Sequence, residues 1–234
     1  ALAVEKTGLY TKEKFLELAR DPILIEKFLG EKLATLEGYL FPETYQFTKY
    51  TSLEGILQKM TSEFKRAHEQ VLVEVPVSER GARAAQFTRH QLVTMASIVE
   101  KETGAPQERP TIASVFYNRL DKGMRLQTDP TILYGRFMLE GVMPNNITRA
   151  DLSTPTAYNT YVITGLPPGP ISNPGKEALK AALKPVVSNY LFFVSRNDGT
   201  HVFSETYQAH ANAVNFFQKN PSQRQGKSWR DLKK

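Results

Sequence analysis

The sequence contains no cysteine. That excludes a disulfide framework, a thiolate nucleophile, a zinc–thiolate site and an iron–sulfur cluster, and it leaves the redox compartment open. No run approaches the roughly 18 continuous apolar residues that crossing a bilayer requires. The longest charge-free stretch, residues 152–175, carries five prolines and three glycines and reads as a loop. The opening Ala1-Leu2-Ala3-Val4-Glu5 lacks the form of a signal peptide. An excess of charge is nearly absent from the body of the chain. The net charge is +6, and residues 218–234 supply +5 of it through six basic residues against Asp231. A folded nucleic-acid binder usually carries its excess on the body. No nucleic-acid partner is therefore expected, and the basic tail 218–234 reads as a solvated end.

What is present is an ordinary globular composition. The 234 residues are 41% hydrophobic and 23% charged, enough for one large domain or a medium domain with a small one. Thr11 caps a short helix, and Asp21-Pro22 opens another. Residues 38–47 are aromatic-rich and extended. Thr51 with Glu54 resembles a capping box for a helix to about Leu72, and residues 73–88 read as a linker. Gln91–Thr103 is a helix with an apolar stripe of Leu92, Met95, Ala96 and Val99, ended by Gly104. Arg109-Pro110 opens the next, whose stripe is Ile112, Val115, Phe116, Arg119 and Leu120. Residues 124–134 read as a short strand or turn and a helical turn. Asn173 is expected to cap a helix from Pro174 to Pro185. Asn197-Asp198-Gly199 signals a hairpin, and a last helix spans about Glu205–Phe217. Helices mixed with short β-hairpins predict an α+β fold.

Several familiar motifs fail. Gly169–Lys176 has the wrong glycine spacing and two prolines for a phosphate loop. No Gly-x-Ser-x-Gly elbow or His-Glu-x-x-His occurs. His68, His90, His201 and His210 show no metal-ligand spacing, so no metal and no cofactor is expected. Two carboxylates at the end of the Gln91–Thr103 helix, Glu100 and Glu102, point roughly 200° apart at helical pitch and cannot share one site. Downstream loops then concentrate amides, hydroxyls and tyrosines with almost no charge. Asn118, Gln127, Asp129, Tyr158, Asn159 and Tyr161 stand out there. Such loops suit a groove for a neutral polar polymer, where amides bond hydroxyls and aromatic faces cover sugar rings.

Five blocks, in one order, carry a family resemblance: Leu36–Tyr45 (LEGYLFPETY), Ala96–Thr103, Val115–Tyr134, Ser153–Pro174 and Tyr190–His210. They closely resemble the endolytic murein transglycosylases of the YceG-like (MltG) family. The resemblance implies cleavage within peptidoglycan glycan strands, between N-acetylmuramic acid and N-acetylglucosamine, leaving a 1,6-anhydromuramyl end. It also implies residues 1–47 as part of a LysM-like region and 48–217 as the catalytic domain. In the full-length protein it implies a single-pass anchor and action on the extracytoplasmic face of the inner membrane, beside peptidoglycan synthases. More distant lytic transglycosylases place the catalytic Glu before a Ser near a helix end. Glu102 before Thr103 resembles that pattern, which makes Glu102 the favoured acid and Glu100 the alternative. Gln127, Tyr158, Asn159 and Tyr161 are candidates for gripping the substrate, with Asn118 and Asp129 beside them. Two other readings stay open. One is a hydrolase pairing Glu102 with Asp129, in which carboxyl separations of about 5–5.5 Å or about 6.5–9.5 Å would distinguish retention from inversion. The other is a non-catalytic peptidoglycan-binding protein.

Overall fold

The computed structural model describes residues 2–144 and 146–220. The expectation for the basic tail falls almost wholly outside them. The elements run α1 (Leu2–Glu5), α2 (Lys12–Leu18), α3 (Pro22–Leu29), α4 (Leu53–Glu74), α5 (Arg89–Glu102), α6 (Arg109–Asp121), α7 (Asp129–Glu140), α8 (Lys176–Leu183), β1 (Phe192–Ser195), β2 (His201–Ser204) and α9 (Tyr207–Val214). The fold is α+β, with one antiparallel two-stranded hairpin among the described residues, in register Phe193↔Phe203. No helix among the described residues is long and apolar enough to cross a membrane.

Local chemistry sets most helix starts. Asp21 accepts from the amides of Ile23 (2.8 Å) and Leu24 (3.2 Å), satisfying two of the donors that the first turn of α3 leaves open. Thr88 and Gln91 form a reciprocal capping box on α5. At α4 the cap is Ser52, whose hydroxyl accepts from Gly55 N at 3.1 Å. Thr51 instead accepts from Thr48 N, so the boundary lies one residue beyond the expected one. Residues 73–88 finish α4 and then make two short 3₁₀ turns; Arg80 there donates to Val75 O and Leu72 O.

Three expectations change. Residues 92–99 of α5 are all buried, so the stripe widens to every face. That follows from packing on α6 and α8 together with closure by residues 171–172. Ser97 accepts from Ile171 N (3.0 Å), and its carbonyl accepts from the Ser172 hydroxyl. The helix expected from Pro174 begins at Lys176 after Gly175. The carboxamide of Asn173 accepts from Gly38 N (2.7 Å) and Leu40 N (3.3 Å), partners 135 and 133 residues away that outcompete a local cap. After Met124 a short irregular stretch ends at Thr128 as expected, but the helical turn beyond it extends into α7, three turns long.

A buried apolar cluster gathers residues from Phe15 of α2 to Leu183 of α8. Tyr39, fully buried, packs edge-on against Phe64 and shares a 2.8 Å hydrogen bond with His90 Nδ1. Through this core α5 passes as a central rod, and its last residue, Glu102, emerges at the edge. The hairpin is fastened to the start of α6 by Glu108, which accepts from His201 N (3.0 Å) and meets His201 Nδ1 at 2.7 Å.

Candidate active site

Glu102 ends α5, where the helix dipole disfavours negative charge. The residue is half-buried, with the core residues Ile98 and Met95 one and two turns before it on the same helix. Its Oε1 accepts a hydrogen bond from the Thr128 hydroxyl. No cation forms an ion pair with it among the described residues. Burial pushes its carboxyl up to about 7; Thr128 opposes that rise, Asp129 adds to it, and Arg119 opposes it. A carboxyl poised there is available both as an acid and, once ionised, as a base.

The floor beside Glu102 is a net of threonines. Thr128 N donates to Thr160 Oγ1 (3.0 Å), Thr131 Oγ1 lies 2.8 Å from Thr160 Oγ1, and Thr131 Oγ1 donates to Thr128 O (2.7 Å). The residues 156–161 and the start of α7 are thereby held together. Removing the Thr128 hydroxyl removes a bond that favours the ionised carboxylate. Thr128→Val should therefore raise the Glu102 midpoint above 7, by about one unit, in a pH–rate profile or a carboxyl-selective NMR titration. An unmoved midpoint would show that the bond contributes nothing.

The structure brings Glu102, Gln127, Asp129 and Tyr161 into one neighbourhood. Asp129 is exposed, and its Oδ1 accepts from the Tyr161 hydroxyl at 2.7 Å. Burial, then the charge of Asp129, pushes the Tyr161 phenol up, so it stays protonated and donates. Gln127 is exposed, with φ 51°, and its amide N donates to Thr160 O (3.1 Å). Tyr158 lies further along, half-buried against Tyr134 with ring centroids 4.7 Å apart. The Tyr134 hydroxyl in turn donates to Glu37, a carboxyl that burial pushes up.

Three sequence candidates are engaged elsewhere. Glu100 faces away, as the angular argument requires; Oε1 pairs with Arg109 Nη2 at 3.0 Å, and Oε2 accepts from Gly175 N at 3.2 Å. Asn159 is 1% exposed, with Nδ2 donating to Asp151 O and Thr154 O and Oδ1 accepting from Tyr161 N. It shapes the loop that presents Tyr158 and Tyr161. Asn118 donates from Nδ2 to Ser188 O and Tyr190 O, both at 2.9 Å, and so ties α6 to the approach to the hairpin.

Sequence reasoning did not select Thr128 and Arg119. A threonine before Asp-Pro carries no visible signal. Arg119 did carry one, because an arginine in an otherwise apolar stripe must find partners for a buried charge. A pocket of about 360 Å³ lined by Arg83, Phe87, His90, Gln91 and Leu166 opens at the other end of α5, and Glu102 does not line it.

The profile of the YceG-like family matches residues 2–216. A Bacillus subtilis (strain 168) protein named endolytic murein transglycosylase is 43% identical over 179 residues, covering 76% of this chain and 47% of that protein. A Streptococcus pneumoniae (strain ATCC BAA-255 / R6) protein of the same name is 33% identical over 165 residues, 68% of this chain and 28% of that protein. A crystal structure of a yceG-like protein from Listeria monocytogenes superposes with a TM-score of 0.72 at 36% identity, over 87% of this chain and 68% of that one. The chain thus spans about half the length of the first relative and under a third of the second.

Proposed function

This chain belongs to the YceG-like family, and from that membership we propose that it is an endolytic murein transglycosylase. It cuts the β-1,4 bond between N-acetylmuramic acid and N-acetylglucosamine within glycan strands and leaves a 1,6-anhydromuramyl end. The observation that carries the reading is Glu102: a half-buried carboxyl raised to about 7, held by Thr128, with no ion-pair partner among the described residues.

One carboxyl suffices for this reaction. Protonated Glu102 gives its proton to the glycosidic oxygen as the C1–O bond breaks, and the leaving sugar departs as an alcohol. The resulting carboxylate takes the proton from the muramic C6 hydroxyl, whose oxygen bonds to C1. No water is added, and Glu102 ends protonated, ready for another cycle. Thr128 holds the carboxyl in place in both states. Gln127, Tyr158 and Tyr161 are read as contacts for sugar hydroxyls and ring faces, with Asn159 supporting that loop from beneath. The same proposal takes in the finer readings: residues 1–47 as a partial LysM-like unit, a membrane anchor in the full-length protein, extracytoplasmic action, and work beside peptidoglycan synthases.

Asp129, close enough to raise Glu102 and oriented by Tyr161, favours a second reading as a two-carboxylate hydrolase. Mass spectrometry of products from purified glycan strands separates the two. Anhydro-ended fragments are expected. Fragments heavier by one water would replace the transglycosylase reading with the hydrolase, and binding without fragments would leave a glycan-binding protein.

A further inference from the structure

Arg119 lies on α6 and is 8% exposed. No carboxylate bonds its guanidinium among the described residues. Nε donates to Leu191 O at 2.6 Å, and Nη1 to Leu126 O (2.8 Å), Arg125 O (3.2 Å) and Gln127 Oε1 (3.3 Å). The guanidinium carbon sits 5.2 Å from the centre of the Phe192 ring. A buried cation without an anion is costly to keep. What this one gains is a fixed fork of donors, and three of its four acceptors belong to residues 125–127.

Those residues lead directly to the acid. Gln127 has φ 51°, in the left-handed region that few residues other than glycine enter. The next residue is Thr128, whose hydroxyl donates to Glu102. Thr160 holds residues 127 and 128 from one side, through the bonds to their amides. Arg119 holds the segment from the other. The charged groups that act on Glu102 are Arg119 and Asp129, the latter bonded to Tyr161.

We propose that Arg119 is a positioning residue, whose guanidinium clamps residues 125–127 so that Gln127 stays left-handed and the Thr128 hydroxyl reaches Glu102. The inference rests on the reading of Glu102 as the acid. Lysine keeps the charge but offers a single ammonium in place of the planar fork, so it cannot hold several carbonyls in one plane.

The test measures glycan cleavage against pH for wild type, Arg119→Lys, Gln127→Asn and the double variant, with Glu102→Gln alongside. Arg119→Lys should lower kcat about tenfold and move the alkaline limb of the profile upward, because the Thr128 bond to Glu102 is lost. Asparagine enters the left-handed region readily, so Arg119→Lys should do less harm when residue 127 is Asn. Gln127→Val, at an exposed position with Arg119 in place, should reproduce the upward shift, which covers the case of an Arg119→Lys that fails to fold. A limb that stays put in Arg119→Lys or in Gln127→Val, or an equal kcat loss from Arg119→Lys in both backgrounds, would overturn the clamp. Cleavage surviving in Glu102→Gln would overturn the acid assignment instead, so the two failures are distinct.

Discussion

Replacing Glu102 with glutamine should abolish glycan cleavage and, above neutral pH, make the protein more stable. The loss of activity should be about 10³-fold or more, because in the proposed reaction one group serves as acid and then as base. The gain in stability has the opposite sign for a stated reason. The folded-state carboxyl sits at about 7, above its ordinary value of 4.5. A raised pKa means that the folded state holds its proton more tightly than the unfolded state. The stabilising contribution is fully present below about pH 4.5 and is lost as pH rises through 7. Above that, the fold contains an ionised carboxylate in a site that resists it, at a cost approaching about 3 kcal/mol. Glutamine does not titrate. The difference in melting temperature, Glu102→Gln minus wild type, should therefore be small near pH 4 and grow until about pH 8. A difference that is flat across this range would mean that Glu102 is not held in the environment described. Glu100→Gln should behave otherwise. It loses an ion pair with Arg109 and weakens the bond to Gly175 N, so it should destabilise modestly while cleavage persists.

Gly38→Ala should destabilise the fold by about 3 kcal/mol or more and take activity with it. Gly38 has φ 90°, a conformation that L-residues with a β-carbon rarely adopt. A β-carbon there would also lie 2.7 Å from Pro170 Cβ, closer still to Pro170 Cγ, and 3.0 Å from Val93 Cγ1. None of these is the end of a flexible chain. Proline is a rigid ring, and Val93 is in the centre of α5. Relief would have to come from moving residues 36–40 away from 169–173. That movement would strain the bonds of Asn173 to Gly38 N and Leu40 N. It would also disturb Glu37 and the Tyr134–Tyr158 pair. Chemical denaturation reads the stability loss. A Gly38→Ala variant within 1 kcal/mol of wild type would show that this contact yields easily.

The legible parts of the molecule were those whose causes are local. Thr11, Asp21 and Arg109-Pro110 announce helix starts because the atoms that cap or begin a helix lie within a few residues of one another. The Asn197-Asp198-Gly199 hairpin is equally local; Asn197 (φ 64°) and Gly199 (φ 91°) supply the positive φ angles that the turn needs. The opposed directions of Glu100 and Glu102 follow from helical pitch alone, and the structure agrees. Asn173 went the other way, because a carboxamide that looks like a helix cap in sequence found two unpaired amides on a distant segment. Asn118 and Asn159 likewise serve backbone carbonyls that no spacing rule brings near them.

By itself the sequence determined the class of the fold, the family and the helix end that bears the candidate acid, since composition, caps and motif order are properties of the chain. The tertiary structure decided what that carboxyl can do. Its proton affinity depends on burial against residues from other helices, on a threonine 26 positions later, and on an aspartate and an arginine whose charges reach it through a low-dielectric interior. Those are distances between elements, and only packing sets them.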